Sequence, residues 1–167
     1  SAFDSQFFET DLPTPSIGKR ENLLYFSGSL LPKTAPFRSI FRYACDKFPK
    51  CFFDKLSSRS FNVSQQMSGL RQSSFCAILG GDTRASKRLF DAITSLCIPV
   101  IFDPLLVMPF MESVPYHEFV IRAPFIRSSI IVEDVLRELE DIPEYEIIRK
   151  QSLMKVYRSY VSYLSSR

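Results

Sequence analysis

The sequence is poor in the residues that hold metal ions. Its 167 residues include one histidine, His117, and none of its four cysteines belongs to a CxxC pair. A structural zinc site needs four cysteine or histidine ligands at close spacing. We therefore expect no zinc site and assign no metal ligand.

Long apolar runs are also missing. The longest run, "IPVIFDPLLVMPFM", is interrupted by Asp103 and three prolines and is too short to span a bilayer. No signal peptide is visible, and the chain begins with Ser1 in place of an initiator methionine. We expect a processed product or an excised piece, so the missing targeting segment does not indicate a compartment.

The charge is not concentrated in any part of the chain. The net charge is +3 and the basic residues are spread along the sequence, unlike the arms that bind nucleic acid. With 46% hydrophobic and 23% charged residues, the chain can bury one core. These values predict one globular domain with no nucleic-acid partner.

Short apolar segments alternate with amphipathic ones. The predicted strands are residues 22–29, 51–56, 74–79 and 98–102, with a further candidate in "EFVIRAP". The predicted helices are residues 37–48, 64–71, the segment "SKRLFDAITSL", residues 131–139, and a last helix that Pro143 opens. This alternation predicts an α/β fold, a Rossmann-like parallel sheet with helices on both faces.

The chain divides into three parts by composition. Residues 1–21 are polar and contain prolines, as in a linker or the end of a preceding domain. Residues 22–141 contain the alternating pattern and form the predicted α/β domain. Residues 142–167 form a C-terminal helix that we expect to pack on that domain.

Two covalent modifications have sequence signals. "Asn62-Val63-Ser64" is an N-glycosylation sequon. The cysteines Cys45, Cys51, Cys76 and Cys97 permit three pairings, and free buried thiols are an equal alternative. Cys76 and Cys97 begin two strands that are candidates for neighbours, so a bridge between them is one option.

Three basic residues lie at the start of one predicted helix. In "GGDTRASKRLFDAI", Arg84, Lys87 and Arg88 occupy a helix start, which normally attracts acidic residues. A bound diphosphate would offset the repulsion, and the preceding glycines allow close backbone approach. The alternative is a solvated face on which Asp91 pairs with Lys87 or Arg88. The segment lacks both the Walker lysine arrangement and the GxGxxG spacing.

The same region resembles a known family. "SSFC", "GD", "SKRLFDAI", "CIPVIFD" and "PF" follow the order of the exostosin glycosyltransferase signature, S-x-F-C, G, S-x-R-x-x-[ED]-A-[IL] and G-C-[IV]-P-V. The match is clear from Ser73 to Phe110 and looser over most of the remaining chain. Two positions differ: Leu96 replaces the family's glycine, and Asp91 stands where glutamate is common.

The resemblance implies the second, nucleotide-sugar-binding half of an inverting two-domain (GT-B) glycosyltransferase. By position, Ser86 and Arg88 would lie near the diphosphate, and Asp91 would accept hydrogen bonds from the ribose hydroxyls. Ligands of parallel sheets bind beyond the carboxyl ends of the strands. The full set of predicted donor-binding residues is Gly28, Ser29, Arg38, Gly81, Asp82, Thr83, Arg84, Ser86, Arg88 and Asp91. Arg38 is equally well interpreted as a surface residue.

The implied substrates are a nucleoside diphosphate sugar, with UDP-sugar favoured, and a polysaccharide or glycan acceptor. We assign no catalytic residue, because inversion needs a general base that is expected from the missing N-terminal domain. The implied location is the lumenal side of the Golgi membrane, with an anchor upstream of this chain. We expect no tightly bound cofactor, the metal requirement stays open, and a homo- or hetero-oligomer is an option. The alternatives are a non-catalytic glycosyltransferase-like module that binds a partner and an unrelated Rossmann-like phosphate binder.

Overall fold

The computed structural model describes residues 14–30, 36–55, 62–80 and 85–165. The elements in chain order are β1 (Asn22–Gly28), α1 (Pro36–Asp46), β2 (Cys51–Lys55), α2 (Val63–Gln72), β3 (Ser73–Ile78), α3 (Ala85–Thr94), β4 (Ile98–Ile101), a short 3-10 helix (Tyr116–Glu118), β5 (Ile121–Arg122), α4 (Ser129–Glu140) and α5 (Glu144–Ser165). The strands and helices predicted from the sequence are confirmed. The candidate strand in "EFVIRAP" is shorter than the run itself, since only Ile121 and Arg122 pair with β4.

The five strands form one parallel sheet in the order β2-β1-β3-β4-β5. The chain first moves from β1 to β2 and then returns past β1 to β3, so the order reverses between β1 and β3. In open α/β sheets, such a reversal leaves a crevice beyond the carboxyl ends of the two strands. The predicted fold class, a parallel α/β sheet, is confirmed.

Helices cover both faces of this sheet. Successive side chains of β1 point to opposite faces: Phe26 packs against Phe41 of α1, with ring centroids 5.9 Å apart, and Tyr25 clusters with Leu70 of α2 and Ala92 of α3. On the first face α1 contacts α4, and on the second face α3 contacts α5. The strands between these layers are buried, including every residue of β3 and β4.

The structure pairs the four cysteines in two disulfides. Cys45 of α1 is bonded to Cys51 at the start of β2. Cys76 of β3 is bonded to Cys97, which directly precedes the neighbouring strand β4. Both bonds lie in the core, where each cysteine is at most 8% exposed.

The turn from α3 to β4 uses Leu96 in the position that commonly belongs to glycine. Leu96 has a φ of 55° in the left-handed region. The Cys97 amide donates to the Ala92 carbonyl at 2.9 Å, and the Leu96 amide donates to the Ile93 carbonyl at 3.1 Å. These two bonds form a Schellman motif, so the chain makes the turn with a fully buried leucine.

Residues 14–21 have no regular secondary structure, but they are attached to the domain. The Gln151 side chain of α5 accepts from the Gly18 amide at 2.7 Å and donates to the Gly18 carbonyl at 3.2 Å. The Arg20 guanidinium donates to four carbonyls, those of Ser16, Leu70, Ser73 and Ser95. This segment therefore packs on the amino-terminal edge of the sheet.

The C-terminal helix α5 packs on α3 and β4. Val161 and Met154 are fully buried along it, and Tyr157 and Tyr160 are partly buried against the core. Among the helices that the structure describes, none combines the length and apolar character needed to cross a bilayer.

Candidate functional site

The crevice at the reversal point lies where β1 and β3 end. Gly28 is the last residue of β1 and Ser29 follows it, while Gly80 comes two residues after the end of β3. The helices α1 and α3 begin beyond these strand ends. Their first turns supply the arginines of the site.

Arg38 enters the crevice from α1 and is completely buried. Its Nη1 donates to the Ser29 carbonyl at 3.0 Å, and its guanidinium carbon lies 5.5 Å from the centroid of the Phe26 ring. The interpretation of Arg38 as a surface residue is therefore wrong. Its hydrogen bond and the aromatic face hold a positive charge against the end of β1.

Arg88 reaches the same place from α3. Its guanidinium carbon lies 5.4 Å from the centroid of Phe26. A Cβ atom added to Gly28 would lie 3.3 Å from Arg88 Nη2 and only 2.6 Å from the Phe26 ring. The glycine is thus required for the close approach of the arginine, the ring and the end of β1.

The site has two guanidinium groups directed at one aromatic ring. Guanidinium is planar and always charged, and its fork of donors matches the oxygens of a phosphate. Arg38 is buried and Arg88 is half-buried at the crevice. The chemistry that this arrangement favours is the binding of a phosphate or a diphosphate.

Asp91 lies one turn further along α3 and borders a small crevice together with Phe26, Ser27 and Arg88. Its Oδ2 accepts from Lys87 Nζ at 2.8 Å, and Lys87 is mostly exposed. This is the i,i+4 pair that the solvated-face alternative predicted. Within the described residues Oδ1 has no hydrogen-bond donor, so one carboxylate oxygen is available to a ligand.

A second small cavity, of about 60 Å³, lies beyond the ends of β3 and β4. Its walls include the aromatic side chains Phe37, Phe102 and Phe125 and the carboxylate of Asp103. A Cβ atom on Gly80 would lie 2.2 Å from Asp103 Oδ2, so the absence of a side chain at residue 80 makes room for this carboxylate. Asp103 Oδ1 accepts from the Leu105 amide at 2.9 Å and thereby caps the turn after β4.

Four of the predicted donor-binding residues meet in one place: Gly28, Ser29, Arg38 and Arg88. Gly81, Asp82, Thr83 and Arg84 lie outside the described residues. Ser86 belongs to the first turn of α3, but its side chain is also outside the description. Asp91 borders the same region without contacting the two arginines in the contacts that the structure gives.

Sequence reasoning missed Phe26, which lies at the centre of the site. The signal was present, because alternation along β1 places Phe26 on the face opposite Tyr25.

Sequence reasoning also missed two polar contacts next to the crevice. Gln66 Nε2 donates to Ser27 Oγ at 2.9 Å, and the Tyr25 hydroxyl donates to Asp54 Oδ2 at 2.5 Å. Burial, reinforced by Asp54, raises the pKa of Tyr25 well above its ordinary value.

His117 lies in the short 3-10 helix with its side chain 82% exposed. No described contact connects it with the crevice. In the described ranges, no group of three or more histidine, cysteine, aspartate and glutamate side chains is close enough to hold a metal ion.

The chain is similar to plant glycosyltransferases. It is 28% identical over 147 residues to the "Probable arabinosyltransferase ARAD1" of Arabidopsis thaliana, covering 86% of this chain and 32% of that protein. It is 36% identical over 92 residues to the "Xyloglucan-specific galacturonosyltransferase 1" of the same plant, covering 53% of this chain and 14% of the relative. The chain thus spans about a third or less of the length of these relatives.

Among solved structures, AviGT4, "a glycosyltransferase involved in Avilamycin A biosynthesis", superposes with a TM-score of 0.40 at 13% identity, covering 89% of this chain and 52% of that one. The model of the Exostosin GT47 domain matches residues 8–138, which is most of the chain and includes both arginines of the site. The protein therefore belongs to the Exostosin GT47 family of glycosyltransferase domains.

Proposed function

We propose that the chain is the donor-binding half of an inverting glycosyltransferase that transfers a sugar from a nucleoside diphosphate sugar to a polysaccharide or glycan acceptor. One observation carries the proposal: Arg38 and Arg88 converge on Phe26 beside Gly28, at the point where the strand order reverses. In parallel sheets this is the place where nucleotides bind.

The diphosphate is assigned to the two arginines. Arg38 is fixed by the Ser29 carbonyl and by its burial, so little side-chain entropy remains to be lost when an anion binds. Arg88 is half-buried and closes the crevice from the side of α3. Charge-assisted hydrogen bonds from both would stabilise the diphosphate when the sugar departs.

Asp91 is assigned to the ribose of the donor. Its Oδ1 is available, and one carboxylate can accept both hydroxyl protons of a diol. Lys87 would keep the carboxylate oriented through Oδ2. Lys87 is 72% exposed, so this ion pair contributes little to stability and can rearrange when a ligand binds.

The general base and the acceptor site are assigned to a separate N-terminal domain of the GT-B type. We assign no residue of the described crevice as the base, and inverting transfer requires one on the face opposite the leaving diphosphate. On this proposal the chain alone binds nucleotide and transfers sugar poorly or not at all.

The two disulfides support a lumenal location for this half-enzyme. Disulfides persist in oxidising compartments and are rare in the cytosol. The proposed location is the lumenal side of the Golgi membrane, with a membrane anchor upstream of this chain.

Isothermal titration of the chain with a panel of uridine and guanosine diphosphates tests the donor site. We expect Arg88→Ala to weaken binding by about tenfold or more, because a hydrogen bond to a charged group contributes roughly 1.5–3 kcal/mol. Arg137→Ala is the matched control, since it removes an exposed guanidinium of α4 that pairs with Asp134. Its affinity should equal that of the wild type.

The ribose assignment has its own measurement. The wild type should bind a ribonucleoside diphosphate better than its 2′-deoxy analogue, and Asp91→Ala should abolish that difference. Lys87→Ala, which leaves the carboxylate in place, should preserve it. An unchanged ribose preference in Asp91→Ala would remove Asp91 from the donor site.

Other outcomes separate the alternatives. If no nucleotide binds at concentrations up to about 1 mM, the donor site is refuted and the non-catalytic module is favoured. If phosphate and dinucleotides bind as well as nucleoside diphosphates, the chain is an unspecific phosphate binder. Equal loss of affinity in Arg88→Ala and Arg137→Ala would show that the crevice is not where binding occurs.

A further inference from the structure

The structure points to a covalent modification at the start of α2, a different chemistry from the binding of a sugar donor. We propose that Asn62 carries an N-linked glycan, attached through its side-chain nitrogen Nδ2. The sequence contains one other asparagine, Asn22, which is not followed by a serine or threonine two residues later. The sequon at 62–64 is thus the single acceptor sequence in the chain.

The three residues of the sequon are accessible. Asn62 and Ser64 are exposed, and the intervening Val63 is 57% exposed. Asn62 itself has extended backbone angles, φ −124° and ψ 108°, and stands before the first turn of α2. The transferase that modifies such sequons needs both the asparagine and the serine hydroxyl, and neither is covered in the structure.

The oxygen and the nitrogen of the Asn62 side-chain amide have different roles. Oδ1 accepts from the Gln65 amide at 3.2 Å, which makes Asn62 the N-cap of α2. Because the side-chain amide is planar, Nδ2 is then directed away from the helix. Within the described residues Nδ2 donates no hydrogen bond, so a sugar can be attached there without breaking the cap.

The reaction uses a lipid diphosphate-linked oligosaccharide as its co-substrate. The bond that forms joins Asn62 Nδ2 to the anomeric carbon of the first sugar, and the bond that breaks joins that carbon to the diphosphate. The lipid diphosphate leaves, and one amide proton is released. No oxidant or reductant is needed.

The glycan would stand close to the candidate donor site without entering it. Gln66, one turn along α2, donates to Ser27 of β1 and so places the helix start beside the end of that strand. A glycan on the exposed side of Asn62 would keep this rim of the domain clear of protein partners.

The test is expression of the chain in eukaryotic cells behind a cleavable signal sequence, which delivers it to the lumen whatever its natural address. The wild type should lose mass on treatment with an amidase specific for N-linked glycans, and Asn62 should be converted to aspartate. Ser64→Ala destroys the sequon and leaves the Asn62 cap intact. It should abolish the mass loss with an unchanged unfolding midpoint.

Asn62→Asp is a second variant that keeps the cap and loses the glycan. The carboxylate can still accept from the Gln65 amide, but it cannot be glycosylated. Arg127→Asn is the positive control, because it creates a new sequon with Ser128 and Ser129 on an exposed turn. If Arg127→Asn gains a glycan and the wild type carries none at Asn62, the proposal is overturned.

Discussion

Gly69 shows how a contact can reverse the effect expected from helix propensity. It lies inside α2, where alanine is normally preferred over glycine by about 1 kcal/mol. A Cβ at this position would lie 2.3 Å from two ring carbons of Tyr25. Tyr25 cannot easily move away, because its hydroxyl is bonded to Asp54.

We expect Gly69→Ala to destabilise the protein by up to about 2 kcal/mol, since overpacking costs roughly 1–3 kcal/mol and the gain in propensity of about 1 kcal/mol offsets part of that cost. Equilibrium unfolding in urea measures the change. Gln65→Ala, at an exposed position of the same helix, should be neutral or slightly stabilising. In a Tyr25→Leu background most of the penalty should vanish, and a stabilising Gly69→Ala would contradict the contact.

At Leu96 the free-energy cost of a strained backbone opposes the gain from burying the side chain. Its left-handed φ costs roughly 1–2 kcal/mol for a residue with a Cβ, whereas removal of a buried leucine side chain costs roughly 3–5 kcal/mol. We therefore expect Leu96→Gly to lose about 2 kcal/mol of unfolding free energy even though it restores the family's glycine.

The companion variant Leu96→Ala isolates the strain. It loses the same packing but keeps the Cβ, so it should be less stable than Leu96→Gly by about 1 kcal/mol. This is the reverse of the usual order of glycine and alanine. Unfolding curves in which Leu96→Ala is the more stable of the two would show that the turn does not strain its backbone.

At the residue scale, the position of a residue in the chain was enough to identify several residues of the candidate site. The surroundings of each residue in the folded protein could not be predicted in this way. Gly28, Ser29 and Arg88 were identifiable because loops after parallel strands gather at one edge. The burial of Arg38 was not, since it depends on Phe26 and on the Ser29 carbonyl, which the fold brings together. For the same reason Leu96 gave no sign of how the turn would be made without glycine.

At the scale of elements, the two disulfides close loops of different length. Cys76–Cys97 joins residues 21 positions apart, and Cys45–Cys51 joins residues 6 apart. In the chain-entropy model, the longer loop contributes about 3 kcal/mol and the shorter about 2 kcal/mol. We expect the pair Cys76→Ala/Cys97→Ala to lose more stability than Cys45→Ala/Cys51→Ala.

Denaturant titrations of both double variants, beside the oxidised wild type, give the comparison. The shorter-loop variant acts as the matched control, because it also removes two buried sulfur atoms. An equal or inverted order would mean that packing around the sulfur atoms, and not the loop, determines the contribution.

Elements with a strong local pattern were predictable, and those that depend on distant partners were not. The continuous apolar runs of β3 and β4 match strands that are covered on both sides. Nothing in the sequence of the polar, proline-containing segment before β1 indicated that this segment packs on the domain. Gly18 is held by Gln151, 133 residues later in the chain, and such a contact leaves no periodic signal.

At the scale of the whole molecule, buried tyrosine hydroxyls make the stability of the fold depend on pH in the alkaline range. The Tyr116 hydroxyl donates to the Pro109 carbonyl at 2.6 Å, and burial raises the pKa of Tyr116 to about 12, with a smaller effect of Tyr160. The folded state thus binds this proton more tightly than the unfolded state. The stability is fully present below about pH 10, the ordinary tyrosine value, and is lost as pH rises towards 12.

Unfolding titrations at pH 8, 10 and 11 test this dependence. The wild type should lose stability above pH 10, and Tyr116→Phe should lose less, since it has no proton to release at that position. Tyrosinate absorbance of the folded protein should show fewer late-ionising groups in the variant. Parallel pH curves for the two proteins would contradict the assignment.

The global topology was predicted only in outline. Alternating strands and helices indicated a parallel sheet, but the order β2-β1-β3-β4-β5 follows from which strands meet, and the sequence has no signal for that. Without the order, the crevice between β1 and β3 had no defined position. The structure supplies that position.

The ends of the sheet bear on the tendency of the protein to aggregate. In the described part of the chain, the outermost strands are β2, of five residues, and β5, of two. β2 ends in Asp54 and Lys55, and β5 ends in Arg122. Short, charged edges are poor templates for another strand. Fibril growth by addition of strands to these two described edges is therefore disfavoured.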